Sequence, residues 1–185
     1  MMGLASAGRT RHGLRVQPPS LVIRKARPGD EVALFALIRE LAEFERLEHE
    51  LTGSAESLAR DLFGPAPRAE ALLAEVGGSP AGFALFFTTY STFLTRAGIY
   101  LEDLFVRESQ RGTGIGRQLL AAVAQIARQR GAGRLEWSVL DWNERAVGFY
   151  RHLGATLFDE WRICRVTGQN LAALAARGGA AKSPA

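Results

Sequence analysis

The sequence contains a single cysteine, Cys164, so no disulfide can form within the chain. Its 185 residues are enough for one sizeable core and too few for two ordinary domains. No apolar run approaches the roughly 20 residues that a membrane-spanning helix needs. His12, His49 and His152 lack the spacing of metal ligands. These absences favour a cytoplasmic protein that needs neither a metal nor a membrane.

The first 29 positions contain no acidic residue, so the overall net charge of +4 is distributed unevenly along the chain. Residues 28–176 carry 15 basic and 19 acidic side chains, so the central part of the chain is acidic. A nucleic-acid-binding domain would show a basic folded surface, whereas an acidic body attracts cations. We therefore expect a cationic partner and no nucleic acid. Binding of nucleic acid through the arginines before Leu21 is the alternative, and it predicts strongly salt-dependent affinity.

Composition also sets the expected domain boundaries. Residues 1–20 contain arginines but no acid and no signal-type apolar stretch, so a disordered basic leader is expected, with a transit peptide as the alternative. Residues 21–176 form the expected folded domain, and residues 177–185 a flexible tail. The order of elements is one strand, two helices, three strands, then helix, strand, helix and strand. That order predicts a mixed α/β sheet flanked by helices.

Local patterns set the expected bounds of these elements. Strands are expected at 21–26, 71–76, 82–90, 99–106, 135–140 and 155–166, and helices at 30–45, from 52 or 54 to about 64, at 115–130, 143–153 and 171–176. Asp30 is expected to cap the first helix with its carboxylate, and Thr52 or Ser54 to cap the second. The sequence Gly77-Gly78-Ser79-Pro80 predicts a tight hairpin turn.

A glycine-rich segment, Arg111 to Gly116, lies between an apolar strand and the longest helical pattern. Glycines let the backbone turn tightly, and amides at a helix start are unpaired and lie at the positive end of its dipole. Main-chain donors there could hold a diphosphate, helped by Arg111 and Arg117. The alternative is a connector that binds nothing. A dinucleotide fingerprint needs glycine at position 117 and a Walker loop needs Gly-Lys-Ser/Thr, so neither is present.

The spacing Arg-x-x-Gly-x-Gly resembles the coenzyme A pyrophosphate loop of the GNAT acetyltransferases, and the element order from Leu21 to Val166 matches that fold. Further matches are Tyr100–Val106, Asp141–Glu144 and Gly148–Tyr150, with weaker ones at Leu41–Glu45 and Glu160–Arg162. Together these segments resemble the diamine (spermidine/spermine) acetyltransferases, a branch that includes thialysine-acetylating members. The resemblance implies a sheet of about six to seven strands, acetyl-CoA as cosubstrate, no metal, and a homodimer.

The resemblance also implies catalytic roles for Tyr150 and Glu102. A primary amine has a pKa of about 10.4 and must lose a proton before it attacks. Glu102 would be the base or the amine anchor, and Tyr150 the acid that protonates the leaving thiolate. Regular strand alternation places Glu102 on one face with Tyr100 and Leu104. Without the resemblance, Glu102 would be interpreted as a solvated carboxylate and Tyr150 as core packing.

Two sets of binding residues follow from the same resemblance. The family carries a bulge in the strand that ends at Val106, which frees amides for pantetheine and the acetyl carbonyl. The expected cofactor-binding residues are Leu104, Phe105, Val106, Arg111, Gly112, Thr113, Gly114, Ile115, Gly116, Arg117, Asn143, Glu144, Arg145 and Ala146. The expected substrate-binding residues are Phe44, Glu45, Glu102, Asp103, Glu136, Trp137, Ser138 and Glu160. Phe44 stands where the family has a tyrosine, so one hydroxyl contact is missing.

The expected function is transfer of acetyl from acetyl-CoA to a primary amine of a small cationic, polyamine- or diamine-like molecule, by direct attack in a ternary complex. The alternatives within the enzyme class are thialysine or another amino acid, a peptide N-terminus or lysine, and an aminoglycoside. A module that binds acyl-CoA without catalysis is the alternative from another class.

Overall fold

The computed structural model describes residues 19–178. The expected leader therefore lies almost wholly outside the described residues, and so does most of the expected tail. The chain divides after Ser138 into two compact units. Across the described part of the chain, no helix combines the length and the apolar character that crossing a membrane requires.

Five strands form one mixed sheet within residues 19–138. They are β1 (Leu21–Lys25), β2 (Glu70–Val76), β3 (Ser79–Ser91), β4 (Arg96–Val106) and β5 (Leu135–Glu136). Their spatial order is β1-β2-β3-β4-β5, and every neighbouring pair is antiparallel except β4 and β5, which are parallel. The mixed α/β class is confirmed, with five strands among the described residues instead of six to seven. The strand expected at 135–140 is only two residues long.

The first unit also contains three helices: α1 (Glu31–Glu45), α2 (Ala55–Phe63) and α3 (Ile115–Gln129). Leu34 and Leu37 of α1 pack with Leu73, Phe83 and Phe105 of the sheet in one buried cluster. Each such side chain stabilises the fold by roughly 1.5–3 kcal/mol when fully buried. The two helices α1 and α2 thus cover one face of the sheet.

The opposite face of the sheet is covered by α3. Strand side chains alternate between faces, and Leu72 and Phe86, the sequence neighbours of clustered residues, are also buried. Helix α3 packs against β3 and β4 and buries Leu119 and Val123 completely. The sheet is therefore covered on both faces, which explains why its central strands are apolar throughout.

Two local predictions about turns and caps are confirmed. Gly77 and Gly78 have φ of +59° and +80°, and the register pairs Val76 with Ser79 across them. This is the two-residue hairpin that successive positive φ angles permit. Ser54 caps α2, since its hydroxyl accepts from the Ser57 amide while the Ser57 hydroxyl accepts from the Ser54 amide.

The predicted capping role of the Asp30 side chain is wrong. Asp30 precedes α1, but its carboxylate makes no capping hydrogen bond. It instead accepts two hydrogen bonds from the Arg24 guanidinium, at 2.6 and 2.9 Å, and one from the Arg27 amide. Arg24 also donates to the Glu75 carboxylate at 2.7 Å. We call these three side chains, Arg24, Asp30 and Glu75, the Arg24 cluster. It ties β1 to β2 and to the start of α1.

The second unit, residues 139–178, contains α4 (Glu144–His152) and α5 (Gly168–Gly178). The helix expected at 171–176 is confirmed and starts three residues earlier. The strand expected at 155–166 is wrong, because residues 155–167 form neither helix nor strand. Alternation in this segment favours a strand, but a strand also needs a hydrogen-bonded neighbour, and none pairs with it in the part of the chain that is described. Trp161 and Ile163 are consequently 76% and 73% exposed.

Candidate active site

The glycine-rich loop follows β4 and leads directly into α3. Gly112 and Gly114 have φ of +84° and +89°, a conformation that other residues rarely adopt. A Cβ built on either glycine would meet no atom within 4 Å, so both face open space. The Thr113 hydroxyl donates to the Gln110 carbonyl at 2.7 Å, which holds the loop in a tight turn.

Helix α3 begins without a side-chain cap. The Gln118 amide donates to the Gly114 carbonyl at 3.1 Å. The amides of Ile115, Gly116 and Arg117 come before it and have no helical carbonyl one turn back. They lie at the positive end of a 15-residue helix dipole. Open glycines beside such donors fit the diphosphate of a coenzyme A molecule.

The Arg111 side chain contacts the end of α1. Its Nε donates to the Val106 carbonyl at 3.0 Å. Its guanidinium carbon lies 4.3 Å from the centre of the Phe44 ring and 5.8 Å from that of Phe105. The sequence did not predict this contact, because nothing in the local pattern links positions 44 and 111. A phosphate contact by Arg111 stays a prediction, as does one by the exposed Arg117.

A bulge interrupts the pairing of β3 with β4 in the middle of the Tyr100–Val106 motif. Leu85 pairs with Asp103, but the next residue, Phe86, pairs with Leu101, so Glu102 is the extra residue. The bulge that the family resemblance implied is therefore confirmed. The expectation that Glu102 shares a face with Tyr100 and Leu104 is wrong, because the extra residue reverses the alternation beyond it.

The bulge places Asp103 on the face that carries α1. Its partner Leu85 packs against the buried cluster of α1 and α2, and paired residues share a face. Burial raises the pKa of Asp103 to about 7, with further contributions from the negative charges of Glu102 and Glu45. Burial also raises the pKa of Glu45, the last residue of α1. We call Glu45, Glu102 and Asp103 the carboxylate cluster.

The pairing of β4 with β5 ends at Tyr100 and Glu136. From Leu101 to Val106, the edge of β4 that faces away from β3 pairs with no strand among residues 19–178. The main-chain groups that point to this edge are therefore available to a ligand, apart from the Val106 carbonyl, which accepts from Arg111 Nε. Cofactor contacts by Leu104, Phe105 and Val106 stay predictions. This open edge runs directly into the glycine-rich loop.

The remaining predicted residues of the first unit lie in or just after β5. The Glu136 carboxylate accepts from Arg134 Nε at 2.6 Å. Ser138 and the Tyr100 hydroxyl are hydrogen-bonded at 2.7 Å, and Trp137 lies between these two positions in sequence. Glu136 is thus already paired within the chain, and its role in binding an amine stays a prediction.

Six of the predicted residues belong to the second unit. Tyr150 is buried and its ring centre lies 5.2 Å from that of Phe149. The Asn143 side-chain oxygen accepts from the Ala146 amide at 3.2 Å and so caps α4. Glu144 and Arg145 occupy the exposed first turn of α4, and Glu160 is exposed in the irregular segment that follows.

The part of the chain that carries the loop, the bulge and the open edge of β4 matches one family in sequence. The sequence profile of the Acetyltransferase (GNAT) family matches residues 35–155, well over half of the chain. This chain is a GNAT acetyltransferase. The family predicted from the Arg-x-x-Gly-x-Gly spacing is thereby confirmed, and the matched residues include both the loop and the carboxylate cluster.

Two curated relatives and one solved structure illustrate where this GNAT acetyltransferase lies within its family. It is 36% identical to the L-ornithine N5-acetyltransferase of Arabidopsis thaliana, over 82% of this chain and 86% of the relative. It is 38% identical to the thialysine N-epsilon-acetyltransferase of Bos taurus, over 85% and 98%. An integron cassette protein from the mobile metagenome of V. cholerae has a similar structure, with a TM-score of 0.71, 28% identity, and coverage of 84% and 98%.

Proposed function

We propose that this GNAT acetyltransferase transfers the acetyl group of acetyl-CoA to a primary amine of a small cationic molecule. The observation that carries the proposal is the proximity in sequence and fold of two complementary sites. Main-chain donors at the start of α3 suit a diphosphate, and the carboxylate cluster at the β4 bulge suits an ammonium group. The open edge of β4 connects the two.

The proposed substrates carry an amine at the end of a flexible chain together with a second cationic nitrogen. Three carboxylates at positions 45, 102 and 103 exceed what one ammonium group requires. The similarity to relatives named as ornithine and thialysine acetyltransferases supports substrates that are amino acids with a distal amine. Spermidine and putrescine share that distal amine and the second nitrogen, so polyamines belong to the same proposal.

The residues of this chain have distinct tasks in the proposed reaction. Acetyl-CoA supplies the activated acetyl group as a thioester. The amides of residues 115–117 bind its diphosphate, and main-chain groups of Leu104 to Val106 orient its acetyl end. Glu45 and Glu102 hold the positively charged amine. Tyr150 donates a proton to the departing sulfur, since a phenol with a pKa near 10 is close enough to a thiol to do so.

The direct test measures acetyl-CoA consumption with ornithine, thialysine, spermidine, putrescine, a monoamine of the same chain length as putrescine, and a short peptide. We expect ornithine, thialysine, spermidine and putrescine, which all carry at least two spaced nitrogens, to be acetylated with kcat/KM about 100-fold above the monoamine. That factor is the effect of one well-placed ion pair in a partly desolvated site. Equal rates with the monoamine would remove the role of the carboxylate cluster. If none of these amines supports consumption of acetyl-CoA, the remaining alternative is a module that binds acyl-CoA without catalysis.

A second test concerns the proton donor. Tyr150→Phe should lower kcat about 100-fold or more, because general acid catalysis typically contributes 10²–10⁴. Acetyl-CoA affinity, measured by calorimetry, should stay nearly constant. Tyr90→Phe is the matched control, since Tyr90 is 60% exposed on β3. An unchanged kcat in Tyr150→Phe would exclude this tyrosine as the acid.

We further propose a homodimer, as the family resemblance implies. Phe158, Trp161, Ile163 and Val166 are all exposed within the irregular segment 155–167, and such apolar clusters are typical of interfaces. A second copy of the chain is the proposed partner. Sedimentation velocity should show a dimer, and the double change Trp161→Asp and Ile163→Asp should give monomers. A monomeric parent protein would contradict the proposal.

A further inference from the structure

The β4 bulge brings Tyr100 to the same face of the sheet as Asp103. Their partners on β3, Phe87 and Leu85, are two residues apart in one strand and therefore point to the same face. Without the extra residue Glu102, positions 100 and 103 would face opposite sides. Leu85 packs against the buried cluster of α1 and α2, so Tyr100 lies on the face that carries these two helices.

A pair of opposite charges, Arg134 and Glu136, continues this row of side chains across β5. Glu136 is the parallel partner of Tyr100, and residues side by side in a sheet point to the same face. The Tyr100 hydroxyl is hydrogen-bonded to that of Ser138 at 2.7 Å. The Arg134 Nε lies 2.6 Å from the Glu136 Oε2. This ion pair therefore lies on the same face of the sheet as Asp103.

The Arg134 side chain is held in place and stays accessible. Its Nη1 donates at 3.2 Å to the hydroxyl of Ser91, a residue that is only 2% exposed. A Cβ built on Gly98 would lie 3.4 Å from the Arg134 Cγ, so this glycine makes room for the arginine to lie across β4. The side chains of Arg134 and Glu136 are nevertheless 39% and 41% exposed. Both charges can therefore reach a ligand.

We infer that Arg134 and Glu136 bind the α-carbon end of an amino-acid substrate whose distal amine lies at the carboxylate cluster. Arg134 binds the α-carboxylate, to which its planar guanidinium offers two parallel donors. Glu136 binds the α-ammonium group. This inference rests on the proposed function and narrows it, because it ranks amino acids with a distal amine above diamines and polyamines.

The spacing of the two sites suits such a molecule. Asp103 and Tyr100 are separated along the sheet by about 7 Å, the rise of two residues of the partner strand. Glu136 lies on the neighbouring strand, about 4.8 Å from Tyr100. The main-chain separation between Asp103 and Glu136 is therefore about 8 Å. An amine joined to an α-carbon by three or four methylene groups spans about 5–6 Å when extended, and the side chains of the site close the remainder.

The balance of charges favours an amino acid over a diamine. The α-carbon of an amino acid carries one anion and one cation, which match the guanidinium of Arg134 and the carboxylate of Glu136. A diamine brings a second ammonium group and no anion. That ammonium would meet Glu136 beside the like charge of Arg134, which cancels much of the attraction. Arg134 is therefore the residue that determines this specificity.

The test compares ornithine with putrescine, which differ only by the α-carboxylate. In the parent enzyme we expect kcat/KM for ornithine to exceed that for putrescine about fivefold, the effect of one half-exposed charged contact, so both stay well above a monoamine. Arg134→Gln should raise the ornithine KM about fivefold, with kcat and the acetyl-CoA KM unchanged. The putrescine KM should stay constant or fall. Arg134→Lys keeps the charge and should restore part of the preference.

Arg130→Gln is the matched control, because Arg130 is 36% exposed and forms a similar ion pair, with Glu70, at the end of α3. Its ornithine-to-putrescine ratio should equal that of the parent. A parent enzyme without a preference for ornithine would overturn this inference and leave the proposed function standing. The same holds if Arg134→Gln lowers both activities to the same extent. A parent protein that acetylates no amine would remove the proposed function and this inference together.

Discussion

The two ends of the open β4 edge are built in different ways. At the loop, the proposed binding groups are main-chain amides fixed by two glycines with positive φ and by the start of α3. At the bulge, they are side chains that come from separate elements, Glu45 from α1 and Asp103 from β4. A main-chain site depends on local conformation, whereas a side-chain cluster depends on strand register and on how a helix packs.

The largest effect is expected from a substitution that distorts only the glycine-rich loop. Gly114→Val places a β-branched residue at φ +89°, which costs at least 1–2 kcal/mol of local strain and displaces the donors. We expect the KM for acetyl-CoA to rise about 100-fold, equivalent to roughly 2.8 kcal/mol, with the amine KM unchanged. Steady-state kinetics with each substrate varied in turn gives both values.

The matched control is Gly131→Val. Gly131 has φ +66° and equally open surroundings, but it follows the other end of α3. It carries the same strain without touching the loop. A comparable rise in the acetyl-CoA KM in this variant would show that the loss comes from strain and not from the anion site.

The second effect measures how strongly the fold opposes the ionisation of Asp103. The pKa of Asp103 is raised from 3.8 to about 7. The contribution of this residue to the free energy of unfolding is therefore fully present below pH 3.8, where the carboxyl is protonated, and is lost as the pH rises through 7. Three pKa units correspond to about 4 kcal/mol, and residual solvent exposure reduces this to roughly 2 kcal/mol. Asp103→Asn should therefore gain stability relative to the parent protein as the pH rises.

Urea unfolding of both proteins at about pH 4 and about pH 8 measures that difference. The gap in unfolding free energy should widen by the stated amount towards alkaline pH. A gap that stays constant would mean that Asp103 is solvated in the folded state, and the side-chain end of the site would then resemble an ordinary surface cluster.

The third effect concerns the amine side only. Glu45→Gln removes one partly buried charge and should raise the KM of a diamine about tenfold, equivalent to roughly 1.4 kcal/mol. The acetyl-CoA KM should not change. Glu43→Gln is the control, because Glu43 is exposed in the same helical turn. Equal effects of the two variants would indicate general electrostatic attraction instead of a specific contact.

The smallest effect tests whether the two ends are independent. Arg111 belongs to the loop, yet its guanidinium lies over Phe44, next to Glu45. Arg111→Ala removes a cation–π contact of roughly 0.5–1 kcal/mol. We expect both KM values to rise about threefold, an effect of the same size. A change confined to acetyl-CoA would show that the Arg111 side chain serves the phosphates alone.

The sequence was sufficient to predict what depends on local conformation. The tight turn of the glycine-rich loop, the Gly77-Gly78 hairpin and the Ser54 cap are each determined within a few residues, and the structure contains all three. Binding of phosphate by the loop stays a prediction. The extents of α1 and α3 agree within one residue, because helical periodicity over four turns is a strong signal.

Features that depend on distant partners could not be predicted in the same way. The bulge was expected from the family resemblance, but its exact position in Tyr100–Val106 depends on pairing with β3, so the face of Glu102 was predicted wrongly. Asp30 was predicted to cap α1 because the sequence does not show that Arg24, which also donates to Glu75, lies beside it in the fold. Segment 155–166 looked like a strand because alternation does not reveal whether a neighbouring strand exists.

The Arg24 cluster has a practical consequence for handling the protein. Hydrogen bonds from Arg24 lower the pKa of Asp30 below 3.8, so the stability that the cluster supplies persists above that value and fails only in stronger acid. A mildly acidic storage buffer would leave these ion pairs intact while neutralising Asp103. The folded protein is therefore expected to be most stable in a mildly acidic buffer, in which the Arg24 cluster stays charged and Asp103 is neutral.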